Sequence, residues 1–192
     1  YTLACLERQE TGISAGISTP KETKTEAIKH FVTELADWDA GYFLTAGKGV
    51  AGDAIASVDQ EAVWQSVVAA AQVLCPEATT AVTDLPDSTG LVAALADTNI
   101  SLVASEEPFT AEADLLFVGS KIRVLDHDMA DQLKVKTVVP ITRLALTTRA
   151  LARCTNRGVV VAPDFISAAG ALLGAEVAAT TRTLLTDLVD HP

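Results

Sequence analysis

Short apolar runs alternate along the chain with longer segments whose apolar residues follow a helical period. The runs predict strands at 79–84, 100–104, 114–118, 135–139 and 158–162, and one earlier strand at either 42–46 or 54–58. Several runs are continuously apolar, as expected of strands that are covered on both faces. The helical segments between and around them are 23–37, 60–74, 88–97, 126–133, 143–156 and 164–190. The alternation predicts a doubly wound, mostly parallel α/β sheet of about six strands.

The same pattern gives the domain organisation. Residues 1–40 are predicted to form an N-terminal segment with a lead-in helix, and residues 41–192 a single Rossmann-like domain of the nucleotide-binding type. A chain of 192 residues suits one domain with its own core. We find no internal sequence repeat and no low-complexity linker.

Polar residues at predicted helix starts support these boundaries. Ser88 precedes an apolar helical run and could cap it, and Asp126 and Asp128 would favour the positive end of a helix dipole. Asp164 is interpreted as the N-cap of the last helix rather than as a catalytic residue. The prolines at 86, 108, 140 and 163 lie after strands or in loops, where a missing N–H costs little.

Charge and composition limit the partners that the chain can have. The net charge of −11 repels phosphate backbones and anionic membranes, so nucleic acid and membrane partners are not expected. No window reaches the roughly 18 apolar residues of a membrane span, and the three cysteines lack metal-ligand spacing. None of the three histidines pairs with a carboxylate or cysteine at metal or triad spacing. We therefore expect a soluble cytoplasmic protein with no metal site and no catalytic residue of its own.

The C-terminal part of the chain carries the most specific motif. The stretch RGVVVAPDFISAAGALL, residues 157–173, resembles the cofactor domain of the glutamate, leucine, phenylalanine and valine dehydrogenase family. In that family a Gly-led strand is followed by Pro-Asp-aromatic and a helix that opens Asn-Ala-Gly-Gly. The positions that match are Gly158, Pro163, Asp164, Phe165, Ala169 and Gly170. The resemblance extends over about residues 54–175 and implies a Rossmann-like fold that binds NAD or NADP.

The chain also departs from the family pattern near the nicotinamide. Ala168 stands where the family has an asparagine, and the sequence from Pro140 to Leu144 replaces a Gly-Ala-Asn type loop. The family's substrate domain, with its lysine and aspartate, has no convincing counterpart before the sheet. Because hydride transfer requires both substrate and cofactor to be held in register, the chain by itself lacks parts of the enzyme.

Two positions compete for the phosphate-binding turn. The stretch GKGVAG, residues 47–52, fits G-x-G-x-x-G and would bind the pyrophosphate through Gly47, Gly49 and Gly52. The resemblance makes Asp84, at the end of the strand 79–84, the acidic residue for the adenosine ribose. However, Asp84 lies 37 positions after Gly47, whereas the usual spacing is about 20 residues.

Counting back from Asp84 at the family spacing gives a different turn, DQEAVW at residues 59–64. There Gln60, Glu61 and Ala62 would occupy the tight turn, and the carboxylate of Glu61 would oppose the pyrophosphate. This second alignment predicts a degraded cofactor site. A third interpretation compares Lys48 with the substrate-binding lysine of the family, although a solvated turn residue is the preferred explanation.

Two classes of function follow. In the first, the chain is a divergent, non-catalytic homologue of the cofactor domain, acting as a binding, scaffold or regulatory module. In the second, it is the NAD(P)-binding domain or subunit of an amino-acid dehydrogenase. Either class is compatible with a homo-oligomer or with a separate chain that supplies the substrate domain.

Overall fold

Buried aliphatic residues form the central strands of the structure, a computed structural model that describes residues 16–36, 50, 60–173 and 176–190. The strands are β1 (Thr80–Thr83), β2 (Ser101–Leu102), β3 (Leu115–Val118), β4 (Thr137–Pro140) and β5 (Val160–Val161). They pair in parallel in the order β2-β1-β3-β4-β5. All residues of β3 and β4 are buried, because both faces of the sheet are covered. The predicted doubly wound α/β fold is confirmed.

Helices cover both faces of the sheet. They are α1 (Lys24–Ala36), α2 (Gln60–Leu74), α3 (Thr89–Leu95), α4 (His127–Gln132), α5 (Thr148–Asn156), α6 (Asp164–Ser167) and α7 (Val177–Asp190). Helices α2, α3, α6 and α7 pack around Leu115 and Phe117 on one face, and α4 and α5 pack around Leu116 and Val118 on the other. Among the described helices, none combines the length and the apolar character that crossing a bilayer requires.

The structure describes five of the about six predicted strands. Five of the predicted strands are present, and the two candidates for the earliest strand, 42–46 and 54–58, lie outside the described residues. The order of the five is itself informative, because β1 pairs directly with β3 through Ala81↔Leu115 and Val82↔Leu116. No strand therefore lies between β1 and β3.

Two predicted helices were wrong in their extent. The segment 143–156 becomes helical only at Thr148, because the residues before it form a loop that contains a left-handed Leu144 at φ +57°. The segment 164–190 contains α6, then a 3₁₀ turn at Gly170–Leu172, and then α7. Gly170 is placed so that a Cβ would lie 2.0 Å from the Ala62 carbonyl oxygen. Close contact with α2 explains why the chain turns here instead of continuing as one helix.

A buried polar contact joins the start of the described domain to its end. The Ser66 hydroxyl on α2 donates to the Ile166 carbonyl at 3.0 Å and lies 2.9 Å from the Thr181 hydroxyl on α7. Ser66 and Thr181 are fully buried, so each hydroxyl requires such a partner. The contact fixes α2, α6 and α7 relative to one another on one face of the sheet.

The end of α5 shows why Gly158 precedes β5. Gly158 has φ +73°, and the N–H groups of Gly158 and Val159 donate back to Thr155 and Cys154 at 3.1 and 2.9 Å. This is a Schellman ending, which glycine accommodates without strain. The adjacent Arg157 guanidinium donates to the Ala130 carbonyl and, at 2.8 Å, to the Leu133 carbonyl, so it caps the end of α4.

Candidate functional site at the carboxyl edge of the sheet

Parallel strands place all their C-terminal ends on one edge of the sheet, which we call the carboxyl edge. Doubly wound proteins bind their ligands outside this edge, at the point where the strand order reverses. In the order β2-β1-β3-β4-β5, the chain moves outward in opposite directions from β1 and β3. The switch point therefore lies between β1 and β3.

Asp84 lies at this switch point. It directly follows β1, so the position predicted for it, at the end of a strand on the carboxyl edge, is confirmed. Its Oδ1 accepts from the Gly119 N–H at 2.8 Å and from the Ser120 N–H at 3.3 Å. Its Oδ2 accepts from the N–H and the hydroxyl of Ser120 at 3.1 and 2.5 Å. The carboxylate thus links the end of β1 to the loop after β3.

The described residues of the segment 59–64, which are 60–64, form a helix and not a turn. Gln60, Glu61 and Ala62 form the first turn of α2, so the prediction that they occupy a tight turn was wrong. Glu61 is exposed and accepts from the Gln65 side chain at 3.5 Å, one helical turn further on. An acidic residue in a first helical turn is stabilised by the helix dipole, which accounts for Glu61 without a ligand.

The other candidate turn lies outside the described residues. Gly47, Gly49 and Gly52 of GKGVAG, together with Lys48, have no described placement. Their assignment to the pyrophosphate stays a prediction. The role of Asp84 in ribose binding stays a prediction as well, although its position is now known.

Two consecutive loops on the carboxyl edge have the same conformation. The loop 119–126 joins β3 to α4, and the loop 141–147 joins β4 to α5. Arg123 and Leu144 occupy equivalent left-handed positions, with φ of +55° and +57°, and the Arg123 N–H donates to the Leu144 carbonyl at 2.7 Å. Sequence reasoning missed this repetition, because neither position is a glycine and the two loops share few residues.

Each of these loops ends in a side-chain cap. Asp126 accepts from the N–H groups of Asp128 and Met129 at 3.1 and 3.0 Å, and Thr147 accepts from the Ala150 N–H at 3.1 Å. The predicted importance of Asp126 for a helix start is confirmed. Ser88 occupies the N-cap position of α3, but its side chain makes no capping hydrogen bond.

Asp164 has a different role from the predicted one. Pro163 occupies the N-cap position of α6, and Asp164 is the first residue of the helix. The Asp164 Oδ2 accepts from the Leu144 N–H at 2.6 Å. A charge-assisted hydrogen bond from the next loop therefore holds Leu144 in its left-handed conformation.

An open depression lies beside these loops. It has a volume of about 550 Å³ and is lined by Ile122, Arg143, Leu144, Asp164 and Phe165. Ala168, in the place of the family's asparagine, lines a much smaller space beside it with Arg143 and Phe165. The lining is mostly apolar. Its exposed aliphatic side chains, Ile122 and Leu144, were not predicted as site residues from the sequence.

The opposite edge of the sheet, where the strands begin, is called the amino edge here. It carries a second carboxylate. The Asp114 Oδ2 accepts from the N–H groups of Thr79 and Thr80 at 3.0 and 3.2 Å, and Oδ1 accepts from Lys136 Nζ at 2.8 Å. The Lys136 ammonium, together with the Thr79 N–H, holds the pKa of the Asp114 carboxyl well below its usual range. This group joins β1, β3 and β4 at the edge where doubly wound folds do not bind ligands.

Among the described residues, one group has ligand atoms close enough to hold a metal ion. Asp126, His127 and Asp128 place one such atom each within 4.8 Å of the others. However, Asp126 caps α4 through Oδ1, and His127 lies 3.5 Å from the Asp128 carboxylate, a contact that becomes an ion pair when the imidazole is protonated. These contacts explain the three residues without a metal.

Comparison with solved structures identifies the fold. The chain superposes on hetero-hexameric glutamate dehydrogenase from Thermus thermophilus in its Leu-bound form with a TM-score of 0.70 and 16% identity, over 98% of this chain and 68% of that one. L-tryptophan dehydrogenase from Nostoc punctiforme gives 0.57 and 15%, over 98% of this chain and 70% of that one. A further glutamate dehydrogenase gives 0.61 and 14%, over 90% and 60%.

No protein-family model and no curated protein sequence matches the chain. At 14–16% identity the likeness concerns the fold alone. The resemblance drawn from residues 157–173 is thus confirmed at the level of the fold, which this chain shares with amino-acid dehydrogenases.

Proposed function

We propose that this chain is a non-catalytic module with the fold of a dehydrogenase cofactor domain, which acts by binding another protein as a scaffold or regulator. The observation that carries the proposal is made at the switch point between β1 and β3. There the carboxylate of Asp84 is bound to Gly119 and Ser120.

The pairing of β1 with β3 bears on pyrophosphate binding. In the dinucleotide-binding order 3-2-1-4-5-6, the first strand lies between the second and the fourth, and its turn and helix hold the pyrophosphate. If β1 is the second strand of that order, as the resemblance implies, then β3 is the fourth, and the hydrogen bonds between them leave no place for a first strand between the two. On that alignment, the described residues place no phosphate-binding turn at this position in the sheet.

The hydrogen bonds of Asp84 bear on ribose binding. A carboxylate offers about four lone-pair directions. Three donors already engage them at 2.5 to 3.3 Å: the Gly119 N–H, the Ser120 N–H shared between both oxygens, and the Ser120 hydroxyl. A ribose hydroxyl would compete with these donors, and displacing a backbone N–H that then loses its partner would cost about 1 to 3 kcal/mol. This cost supports weak or absent binding of NAD(H) and NADP(H).

The matched structures supply an analogy for a partner. The Thermus glutamate dehydrogenase is hetero-hexameric, so the shared fold is compatible with an assembly of unlike chains. We extend that property to this chain as part of the proposal. The partner would be a protein that contributes what this chain lacks, such as a substrate domain.

The second candidate function is the NAD(P)-binding domain or subunit of an amino-acid dehydrogenase. The motif GKGVAG at 47–52 and the dehydrogenase folds of the matched structures favour it. In that case the glycines would bind the pyrophosphate from a position other than the gap between β1 and β3.

Calorimetry with NADH and NADPH separates the two candidates. We expect a dissociation constant near or above about 1 mM for the wild-type chain, whereas a value below about 50 μM would contradict the proposal. In that second case Gly49→Glu locates the site, since loss of binding would assign it to GKGVAG. Asp84→Ala is the companion variant in that case. If the Asp84 carboxylate is only structural, its removal should leave the dissociation constant for the nucleotide unchanged. Reduction of NAD⁺ with glutamate, leucine or tryptophan is expected to be undetectable.

A further inference from the structure

Two exposed aliphatic side chains mark the tips of the equivalent loops on the carboxyl edge. Ile122 is 61% exposed and Leu144 is 60% exposed, and both line the open depression with Arg143, Phe165 and the carboxylate of Asp164. We define Ile122, Arg143, Leu144 and Phe165 as the tip surface. We propose that the tip surface docks an acidic segment of a partner protein that carries an apolar anchor side chain. This inference rests on the proposed function, because a scaffold or regulatory module requires a partner.

The apolar part of the tip surface is not explained by stability. Leu144 adopts φ +57°, a conformation that is unfavourable for a branched side chain and natural for glycine. Its side chain is mostly in water, so packing within the described chain does little to offset the cost of this backbone conformation. An exposed apolar residue held by two hydrogen bonds, from Arg123 N–H to its carbonyl and from its own N–H to Asp164, is suited to contact with another molecule.

The cations in and beside the two loops indicate an acidic partner. Four of the chain's 14 basic residues lie in or beside the two loops, and all are exposed: Lys121, Arg123, Arg143 and Arg149. Within the described part of the chain none of them forms an ion pair. Arg149 also lies in the first turn of α5, where the helix dipole disfavours a cation. In a protein of net charge −11, these cations are a local exception.

The acidic residues of the same edge keep their charge, but none of those described forms an ion pair with the cations of the two loops. Asp84 binds the backbone of Gly119 and Ser120 and the Ser120 hydroxyl, Asp126 caps α4, and Asp164 binds the Leu144 N–H. The guanidinium groups of Arg123 and Arg143 therefore remain available to carboxylates from outside.

The shape of the depression favours a protein segment over a small molecule. Small-molecule sites enclose about 70 to 90% of the ligand surface and contain a few converging polar groups. This depression is open and mainly apolar, and the described residues contain no buried side-chain polar atom that lacks a partner. An apolar anchor with flanking carboxylates fits an open apolar surface with cations at its border.

The test uses a fluorescein-labelled 12-residue peptide of Asp, Glu and Ser with a central Leu-Phe pair, followed by fluorescence anisotropy. We expect the full chain to bind it with a dissociation constant of the order of 100 μM or lower at 50 mM NaCl. Binding should weaken by about tenfold at 300 mM NaCl, because salt screens exposed charge pairs. A peptide with Lys in place of the acidic residues, and one with Ser in place of Leu-Phe, should both bind at least about tenfold more weakly.

Matched variants locate the site. Arg143→Glu and Leu144→Gly should each weaken binding of the acidic peptide by about tenfold or more. Lys29→Glu makes the corresponding change of charge sign on exposed α1, and Val189→Ser removes an exposed aliphatic side chain from α7. These two controls should change the dissociation constant less than about twofold. Thermal melting checks that Leu144→Gly leaves the fold intact, as glycine should at a left-handed position.

Several outcomes would overturn the inference. Equal peptide binding by the wild type and Arg143→Glu, equal binding of the basic peptide, or no binding up to 1 mM would each do so. Sedimentation velocity that shows a wild-type dimer absent in Arg143→Glu would assign the surface to a second copy of the chain instead. A failure of the proposed function has a different signature, since it would appear as tight NADPH binding whatever the peptide result.

Discussion

The two edges of the sheet each use one carboxylate to hold β1 against β3, but in different surroundings. At the amino edge, Asp114 pairs with the Lys136 ammonium and with backbone and hydroxyl groups of Thr79 and Thr80. At the carboxyl edge, Asp84 accepts only from the neutral groups of Gly119 and Ser120. The first arrangement is a complete structural clamp. The second places a structural contact where related folds leave room for a ligand.

Under the proposed function, this difference is the way in which a binding fold is converted to another use. The strand order still creates a switch point, and an acidic residue still stands at the end of β1. The loop after β3 lies close enough for that carboxylate to bind it, so the residue contributes to the stability of this edge. The loop tips with Ile122 and Leu144 are exposed at the same edge.

The largest expected effect comes from removing the clamp at the amino edge. Asp114→Ala leaves the N–H groups of Thr79 and Thr80 and the Lys136 ammonium without their acceptor, and the Asp114 side chain is only 17% exposed. We expect the free energy of unfolding, measured by urea denaturation, to fall by about 3 kcal/mol. Asp97→Ala, at an exposed position, is the control and should change it by less than about 0.5 kcal/mol.

A smaller effect is expected at the carboxyl edge. Asp84→Ala removes the acceptor of Gly119 and Ser120, but water can reach part of this site and replace it. We expect a loss of about 1 to 2 kcal/mol in the same urea experiment. A loss equal to that of Asp114→Ala would show that the two edges are structurally equivalent. A gain in stability would instead indicate that Asp84 lowers the stability of the fold and serves ligand binding.

The smallest expected effect is a dependence on pH that belongs to the amino edge. Because the pKa of Asp114 is lowered in the folded state, its contribution is complete above the unfolded pKa of about 3.9 and is lost as the pH falls below it. Between pH 6 and pH 3 this residue should account for about 1 kcal/mol of lost stability. The difference in urea midpoint between the wild type and Asp114→Asn should shrink over that range. A constant difference would argue against the ion pair with Lys136.

Local signals in the sequence were sufficient for most elements. The helical pattern predicted 60–74, which are the bounds of α2, and the apolar run 114–118 predicted β3 to within one residue. The cap at Asp126 could be predicted because a short acidic side chain before a helix has a defined partner in the first turn. Such features depend on neighbours within a few residues.

Contacts between distant parts of the chain account for what the sequence did not predict. The break before α7 depends on Gly170 meeting Ala62, and the strand order depends on β1 pairing with β3. The left-handed Leu144 depends on Asp164, which lies 20 residues further along. No pattern within a single segment contains this information, and for that reason the helix 143–156 was predicted to begin too early.

The contact of Ser66 with Thr181 also has a consequence for biosynthesis. The two residues are 115 positions apart, and α2 packs on α7 across that separation. At about 5 to 20 residues per second, a ribosome needs roughly 6 to 23 s to synthesise the chain between them. During that time the α2 face around Val67 and Ala70, fully buried in the final structure, lacks its cover from α7. We therefore expect this face to stay open to chaperone binding until α7 emerges.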